Sequence, residues 1–240
     1  RHSKRKDIHS VRSVNWNKIM YEIVKKRDLN PSICLMEVSA PRLAASAKPG
    51  QFLIVRTDEN GERIPLTVCD YDKESGTVTI VTQKVGASSR KICALNQGDS
   101  FADVVGPLGQ PSEFVYESDE ELKGKRFIFI AGGLGTAPVY PQVKYLKERG
   151  AKVDVIVGAK SSDLLILEEE MQSVSDNLYI CTDDGSKGMK GLVTEKLSQL
   201  CEAGEKYDQA VSIGPMIMMK FVTLTAKKYE LPRGVSLNTL

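Results

Sequence analysis

Polar and apolar positions alternate in short runs through the first half of the chain. Tyr21–Lys25, Ile33–Val38 and Thr77–Gln83 each place apolar residues on one side of an extended strand. Gln51–Arg56 follows a Pro49-Gly50 turn, and Gly98-Asp99 turns into a strand at Ser100-Phe101. Asp58–Glu62, with Asn60-Gly61, reads as a hairpin-type loop. Arg63–Thr67 leads into a further strand, and Ser88–Leu95 reads as a short helix. Short strands separated by turns, from Met20 to about Val115, predict a small closed antiparallel β-barrel.

The rhythm changes after Glu117–Lys125, an acidic then basic stretch read as the domain boundary. Apolar strand-like runs now alternate with helical patterns. The strands are Phe127–Ala131, Val153–Gly158, Leu178–Thr182 and Ala210–Ile213. The helices are Val139–Arg149, Leu164–Ser173, Leu192–Cys201 and Met216–Lys228. This alternation predicts a Rossmann-like parallel sheet with helices on both faces. The expected organisation is a basic extension at 1–19, a barrel at 20–118 and an α/β domain at 119–240.

The strand Phe127–Ala131 stops at Gly132-Gly133-Leu134-Gly135-Thr136-Ala137-Pro138. A buried strand running through glycines into a helix start is a phosphate cradle, because glycine admits the anion close to the backbone and helix N–H groups face it. Pro138 stands where a third fingerprint glycine would be, so the stretch departs from the standard dinucleotide motif. From the glycines alone, a dinucleotide turn and a plain connection are equally good readings.

Composition narrows the field. With 240 residues the chain has room for two domains. A net charge of +2 argues against a nucleic-acid binder. No apolar run approaches the roughly 18 residues that span a bilayer. Cys34, Cys69, Cys93, Cys181 and Cys201 lack CxxC spacing, so neither a disulfide scaffold nor a metal site is expected. Reduced thiols fit a cytoplasmic location. The arm carries Arg1, Lys4, Arg5, Lys6 and Arg12 and is read as a solvated tail. His2 and His9 both lie in it, which disfavours Ser-His and Cys-His hydrolases.

Ligands of open α/β sheets bind beyond the carboxyl ends of the strands. Those ends carry Lys160, Asp183, Asp184, Gly214 and Pro215. A cation there suits an extra ribose phosphate and an acid suits a ribose diol, so Lys160 leans towards NADP and Asp183 and Asp184 towards NAD. In the barrel, Arg63 is placed to fork onto a phosphate and Thr67 to bond a ring heteroatom. On the barrel's own evidence Arg63 reads better as a surface residue. Gly86-Ala87-Ser88-Ser89 is a second anion turn, so each half offers one. Met216, Met218 and Met219 read as core.

Arg-Ile-Pro-Leu-Thr, the Gly86–Ser89 turn, Ala-Gly-Gly-x-Gly-x-Ala-Pro, Gly-Ala-Lys, Thr-Asp-Asp-Gly-Ser and Ile-Gly-Pro together resemble the ferredoxin–NADP reductase superfamily. Within it the chain is similar to dihydroorotate dehydrogenase electron-transfer subunits. It is still more similar to the small subunit of NAD-dependent ferredoxin:NADP oxidoreductase, also called sulfide dehydrogenase. The resemblance covers about Met20 to Leu240.

The resemblance implies FAD in the barrel. Arg63, Ile64, Pro65, Leu66 and Thr67 would face the flavin and its pyrophosphate, with Thr67 near the ring. Val81, Thr82 and Gln83 would line the adenosine side, and Gly86, Ser88 and Ser89 the pyrophosphate. It implies NAD(H) or NADP(H) on Gly132, Gly133, Gly135 and Thr136, with Asp183 and Asp184 near ribose and Gly214 and Pro215 near nicotinamide. Hydride would pass to the flavin, with no side chain acting as acid or base, and electrons would leave singly to a larger iron–sulfur and flavin subunit of glutamate-synthase type, or to ferredoxin. Two departures stand out. Ile64 occupies the family's arginine position, with Arg63 one residue earlier. The family's cysteine-rich segment for a [2Fe-2S] cluster would begin near Ser236–Leu240, so the sequence is expected to be a piece of a longer chain. The other readings are a dihydroorotate dehydrogenase subunit and a non-catalytic docking module of the same fold.

Overall fold

The computed structural model describes residues 21–234. The basic arm 1–19, with His2, His9 and Trp16, and the segment Ser236–Leu240 lie outside the described residues. Seven strands form the first sheet: β1 (Tyr21–Asn30), β2 (Ile33–Ser39), β3 (Phe52–Arg56), β4 (Ile64–Asp72), β5 (Thr77–Gln83), β6 (Ser100–Phe101) and β7 (Asp103–Leu108). Their order is β6-β1-β2-β5-β4-β3-β7, and every pairing is antiparallel. One short segment closes the sheet. Phe101 pairs with Tyr21 on one edge, and Asp103, two residues on, pairs with Arg56 on the other. The expected barrel is present.

Ile23, Met36, Leu53, Val78 and Ile80 fill its interior. Along β5 the alternation breaks after Ile80, and Val81 and Thr82 are both buried. The outer face there is covered by the second sheet's helices, so Val81 packs with Ala137, Ile166 and Leu167. Helix α1 (Pro41–Ser46), absent from the sequence expectation, buries Leu43 and Ala44 against the same interior. Its one and a half turns are too short to show a 3.6-residue period. Helix α2 is Ala87–Ala94.

The segment Glu117–Lys125 and the residues just before it contribute to a core. Phe114 and Leu122, the latter in helix α3 (Asp119–Leu122), pack into the core of the second sheet. That sheet is parallel, in the order β11-β10-β9-β8-β12-β13. Its strands are β8 (Arg126–Gly132), β9 (Lys152–Ala159), β10 (Asn177–Thr182), β11 (Met189–Lys190), β12 (Gln209–Ile213) and β13 (Arg233–Gly234). Phe127 and Phe129 of β8 face α4 (Thr136–Glu148) and α5 (Glu168–Val174). Ile128 and Ile130 face α6 (Val193–Glu202) and α7 (Met216–Lys228). Burial on both faces is why this strand reads as a continuous apolar run.

Helix α4 starts at Thr136, three residues before the expected Val139, because a 3-10 turn over Gly133–Gly135 winds directly into it. The expected helix from Leu164 is instead a 3-10 turn at Ser162–Leu164 followed by α5. The two halves meet through Leu35, Cys69, Val81, Ala137, Ile166 and Leu167. Polar links surround this apolar patch: Lys144 with Asp70, Arg27 with Glu170, and Ser112 donating to Gln142 at 2.9 Å.

Candidate functional site

Strands β4 and β5 are paired only from Val68 and Ile80 onward towards Asp72 and Thr77. Before that point they splay. Ile64–Thr67 pair only with β3, and Val81–Gln83 only with β2. Alternate N–H and C=O groups of both segments therefore face a gap without a ladder partner. Such groups demand a partner when they are shielded from water. The gap is a cleft of about 540 Å³. Ile64, Pro65, Leu66, Thr67, Val81 and Thr82 form its walls, Gly50 and Phe52 one end, and Leu134, Ala137 and Pro138 come from the second sheet. Thr82 is 3% exposed and its hydroxyl has no hydrogen-bond partner.

Near one end of this cleft is the first turn of α2. Ser89 Oγ accepts from the N–H groups of Gly86 (2.9 Å) and Val85 (3.0 Å), so its hydroxyl closes the turn. The N–H groups of Ala87–Ser89 have no partner inside the helix, as at any helix start. Ser88 instead bonds the carboxylate of Glu62, and it lines neither cleft. Arg63 is likewise not brought into the cleft. Its guanidinium lies 3.1 Å from Asp103, and its side chain is more than half exposed.

A second cleft of about 600 Å³ lies over the carboxyl ends of β8, β9 and β10. Strand order reverses at β8, with β9 on one side and β12 on the other; this is where ligands of open α/β sheets bind. Gly132, Gly133, Lys160, Asp183 and Pro215 line it, as do Leu192, Ile217, Met218 and Phe221. The glycines divide by role. Gly133 has φ +54°, and a Cβ there would meet nothing within 4 Å, which fits a ligand passing over it. A Cβ on Gly135 would stand 2.3 Å from the Ile213 carbonyl oxygen, so this glycine permits close packing. Thr136 is 1% exposed and donates to the Gly133 carbonyl at 2.9 Å, which holds the turn. Gly214 presses on Gly132 and Met218 and does not line the cleft.

Asp184 also points away. Its Oδ1 accepts from the Ser186 hydroxyl (2.6 Å) and the Ser186 N–H (2.9 Å), which hold its carboxyl below the usual range. The three methionines read as core divide. Met219 is buried, Met218 walls the cleft and Met216 is exposed. Nothing in their helical spacing distinguishes these fates. The apolar lining from Leu134, Leu192, Ile217 and Phe221 was equally missed, since such residues read as packing until a cleft is seen.

The oxidoreductase NAD-binding domain model matches residues 129–223. A protein of Clostridium beijerinckii described as "Uncharacterized protein in adh 3'region" is 55% identical, over 92% of this chain and 75% of its own length. The Thermotoga maritima dihydroorotate dehydrogenase B (NAD(+)) electron transfer subunit homolog is 41% identical, over 91% of this chain and 74% of its own. The chain belongs to the family of dihydroorotate dehydrogenase B electron-transfer subunits and their homologues. The solved NADH-dependent reduced ferredoxin-NADP oxidoreductase, studied for flavin-based electron bifurcation, superposes with a TM-score of 0.82 at 39% identity. That match covers 92% of this chain and 77% of the other. The ferredoxin-reductase-like fold, a barrel followed by a parallel sheet, is common to this electron-transfer family. Its work is NAD(P)H-linked electron transfer. Among the described residues no helix is long and apolar enough to cross a membrane.

Proposed function

We propose that this electron-transfer subunit binds FAD in the split between β4 and β5 and a dinucleotide over the second sheet. The observation that carries this reading is that the two clefts adjoin, with Gln83 lining both. FAD held there would supply an acceptor for a hydride that can also give up its electrons one at a time.

The residues present fit such a ring. The unpaired edges of Ile64–Thr67 and Val81–Gln83 offer backbone donors and acceptors to a heterocycle edge, and Thr67 and Thr82 offer hydroxyls. Leu66, Ala137 and Pro138 exclude water from its faces. Gly86 and the first turn of α2 face the pyrophosphate, with Ser89 shaping the turn and Ser88 held by Glu62 at its margin. Arg63 takes no part in this reading, because Asp103 holds it. Over the second sheet, Gly132 and Gly133 admit the dinucleotide pyrophosphate, and Pro215 sets the wall at the nicotinamide end. Gly135, Thr136 and Gly214 support from behind. No side chain is required to move a proton, so the protein's contribution is alignment of two rings.

NADH is the proposed donor. Asp183, in the cleft at the end of β10, suits a ribose diol and repels a 2′-phosphate. Lys160, on the same cleft and in no ion pair among the described residues, suits the pyrophosphate. The name of the Thermotoga maritima relative carries NAD(+), and that of the solved oxidoreductase carries both NADH and NADP. The barrel 20–118 and the α/β part 119–240 are proposed as the two functional halves.

The proposed partner is a larger iron–sulfur and flavin subunit. A second reading, supported by the Thermotoga maritima relative, pairs the chain with a dihydroorotate-oxidising subunit; orotate-dependent activity of the co-purified complex selects it. The test of the main reading is direct. Protein reconstituted with FAD should bleach in the flavin visible band on adding NADH, faster than with NADPH. A protein that takes up no FAD, or whose flavin neither nucleotide reduces, excludes it.

A further inference from the structure

The second cleft is lined by four polar side chains, from Gln83, Lys160, Asp183 and Thr194. Lys160 and Asp183 follow β9 and β10, one and two strands away from β8. At about 4.8 Å per strand they lie away from the β12 side, Lys160 nearer the middle of an elongated ligand and Asp183 nearer its far end. Gln83 differs from the other three. It comes from the barrel, as the last residue of β5, and it also lines the first cleft.

Its backbone is fixed. Gln83 pairs with Ile33 in the ladder, and its carbonyl accepts from the Val85 N–H at 2.9 Å. Its side chain is half-buried and makes no hydrogen bond among the described residues. A primary amide offers one acceptor and two N–H donors, carries no charge and does not titrate. The group that matches it reciprocally is another carboxamide.

Resting on the reading above, we infer that Gln83 is a positioning residue that receives the carboxamide of the nicotinamide ring where the two clefts meet. This assigns Gln83 to the dinucleotide rather than to the adenosine side of the flavin. The pairing selects which way round the ring enters, because a flipped ring carries its carboxamide away from β5. Hydride transfer needs that orientation, and fixing it removes non-productive poses. The contact is uncharged, so its effect is independent of pH across the neutral range.

The test compares equilibrium binding of NAD+ and 3-acetylpyridine adenine dinucleotide, which keeps the carbonyl but lacks the amide N–H donors. Titration calorimetry on the FAD-loaded oxidised protein reads both. The wild type should prefer NAD+ by about tenfold, the worth of one good hydrogen bond. Gln83→Leu should bring the ratio near one while retaining FAD. Gln83→Met serves if the leucine variant does not fold. A folded, FAD-loaded variant that keeps the wild-type preference overturns the inference and leaves the functional reading intact. A wild type that binds FAD and NAD+ but does not discriminate the analogue also overturns it. A wild type that binds no dinucleotide overturns the functional reading, and this inference with it.

Discussion

Lys144 Nζ stands 2.9 Å from Asp70 Oδ1 and 3.1 Å from Asp70 Oδ2, joining α4 to the barrel strand β4. Asp70 sits just past the point where β4 and β5 part, and α4 is the helix that the glycine turn feeds. The ion pair thus ties the two clefts' supporting elements together. Both side chains are about one-third exposed or less, so the pair contributes only about 0.2–1 kcal/mol. Lys144→Ala should lower the melting temperature slightly but slow flavin reduction more than stability alone explains. Stopped-flow absorbance beside thermal denaturation separates the two effects.

Two glycines of one turn should respond oppositely. Gly133→Ala meets no neighbour and bears only a left-handed backbone, worth about 1–2 kcal/mol. Gly135→Ala would drive its Cβ onto the Ile213 backbone, at 2.3 Å from the oxygen and 2.8 Å from the carbon. Backbone cannot yield as a side chain does, so about 3 kcal/mol is expected. Urea unfolding should rank them in that order, while dinucleotide affinity should fall for Gly133→Ala despite its smaller structural cost.

In the proposed reading donor choice rests on Asp183, which lines the second cleft. Asp183→Asn removes the charge that opposes a 2′-phosphate and leaves hydrogen-bonding capacity. The ratio of flavin-reduction rates, NADH to NADPH, should fall about tenfold, in line with the worth of a charged hydrogen bond. An unchanged ratio would place the ribose elsewhere.

Acid should reveal Asp176. Burial opposes its ionised form, but the Lys147 ammonium and the Val153 N–H at 2.7 Å outweigh burial and hold its pKa below the ordinary 3.8. A depressed folded value means the contribution is full above about pH 3.8 and disappears as pH falls through the folded value. Asp176→Asn should therefore be less stable than wild type at neutral pH, and the difference should vanish in strong acid. Urea midpoints across that range check it.

The fold could be read from periodicity wherever one face of a strand meets one environment. Thr77–Ile80 shows this, and so does the doubly buried run at Phe127–Ala131. Reading failed where a third party intervenes. Asp154 sits in the apolar run of β9, yet it is 1% exposed and accepts from Arg126, Tyr207 and Asn177. Its partners come from residues far along the chain, which no local pattern discloses. The site was legible as a set of turns, since Gly132, Gly133 and Asp183 do reach the cleft. It was not legible as geometry. Arg63 and Ser88 turn to the acids Asp103 and Glu62, and Gly135 and Thr136 serve the backbone.

The segment Ser100–Leu108 gives the molecule an order of assembly. A ribosome has delivered every barrel strand by Leu108, before the first strand of the parallel sheet begins at Arg126. The N-terminal half can round up on its own while the rest is still being synthesised. Its flank at Val81 stays wet until Ala137 and Leu167 emerge to cover it. In this chain the nascent state most exposed to sticking is therefore a finished cylinder with one bare side.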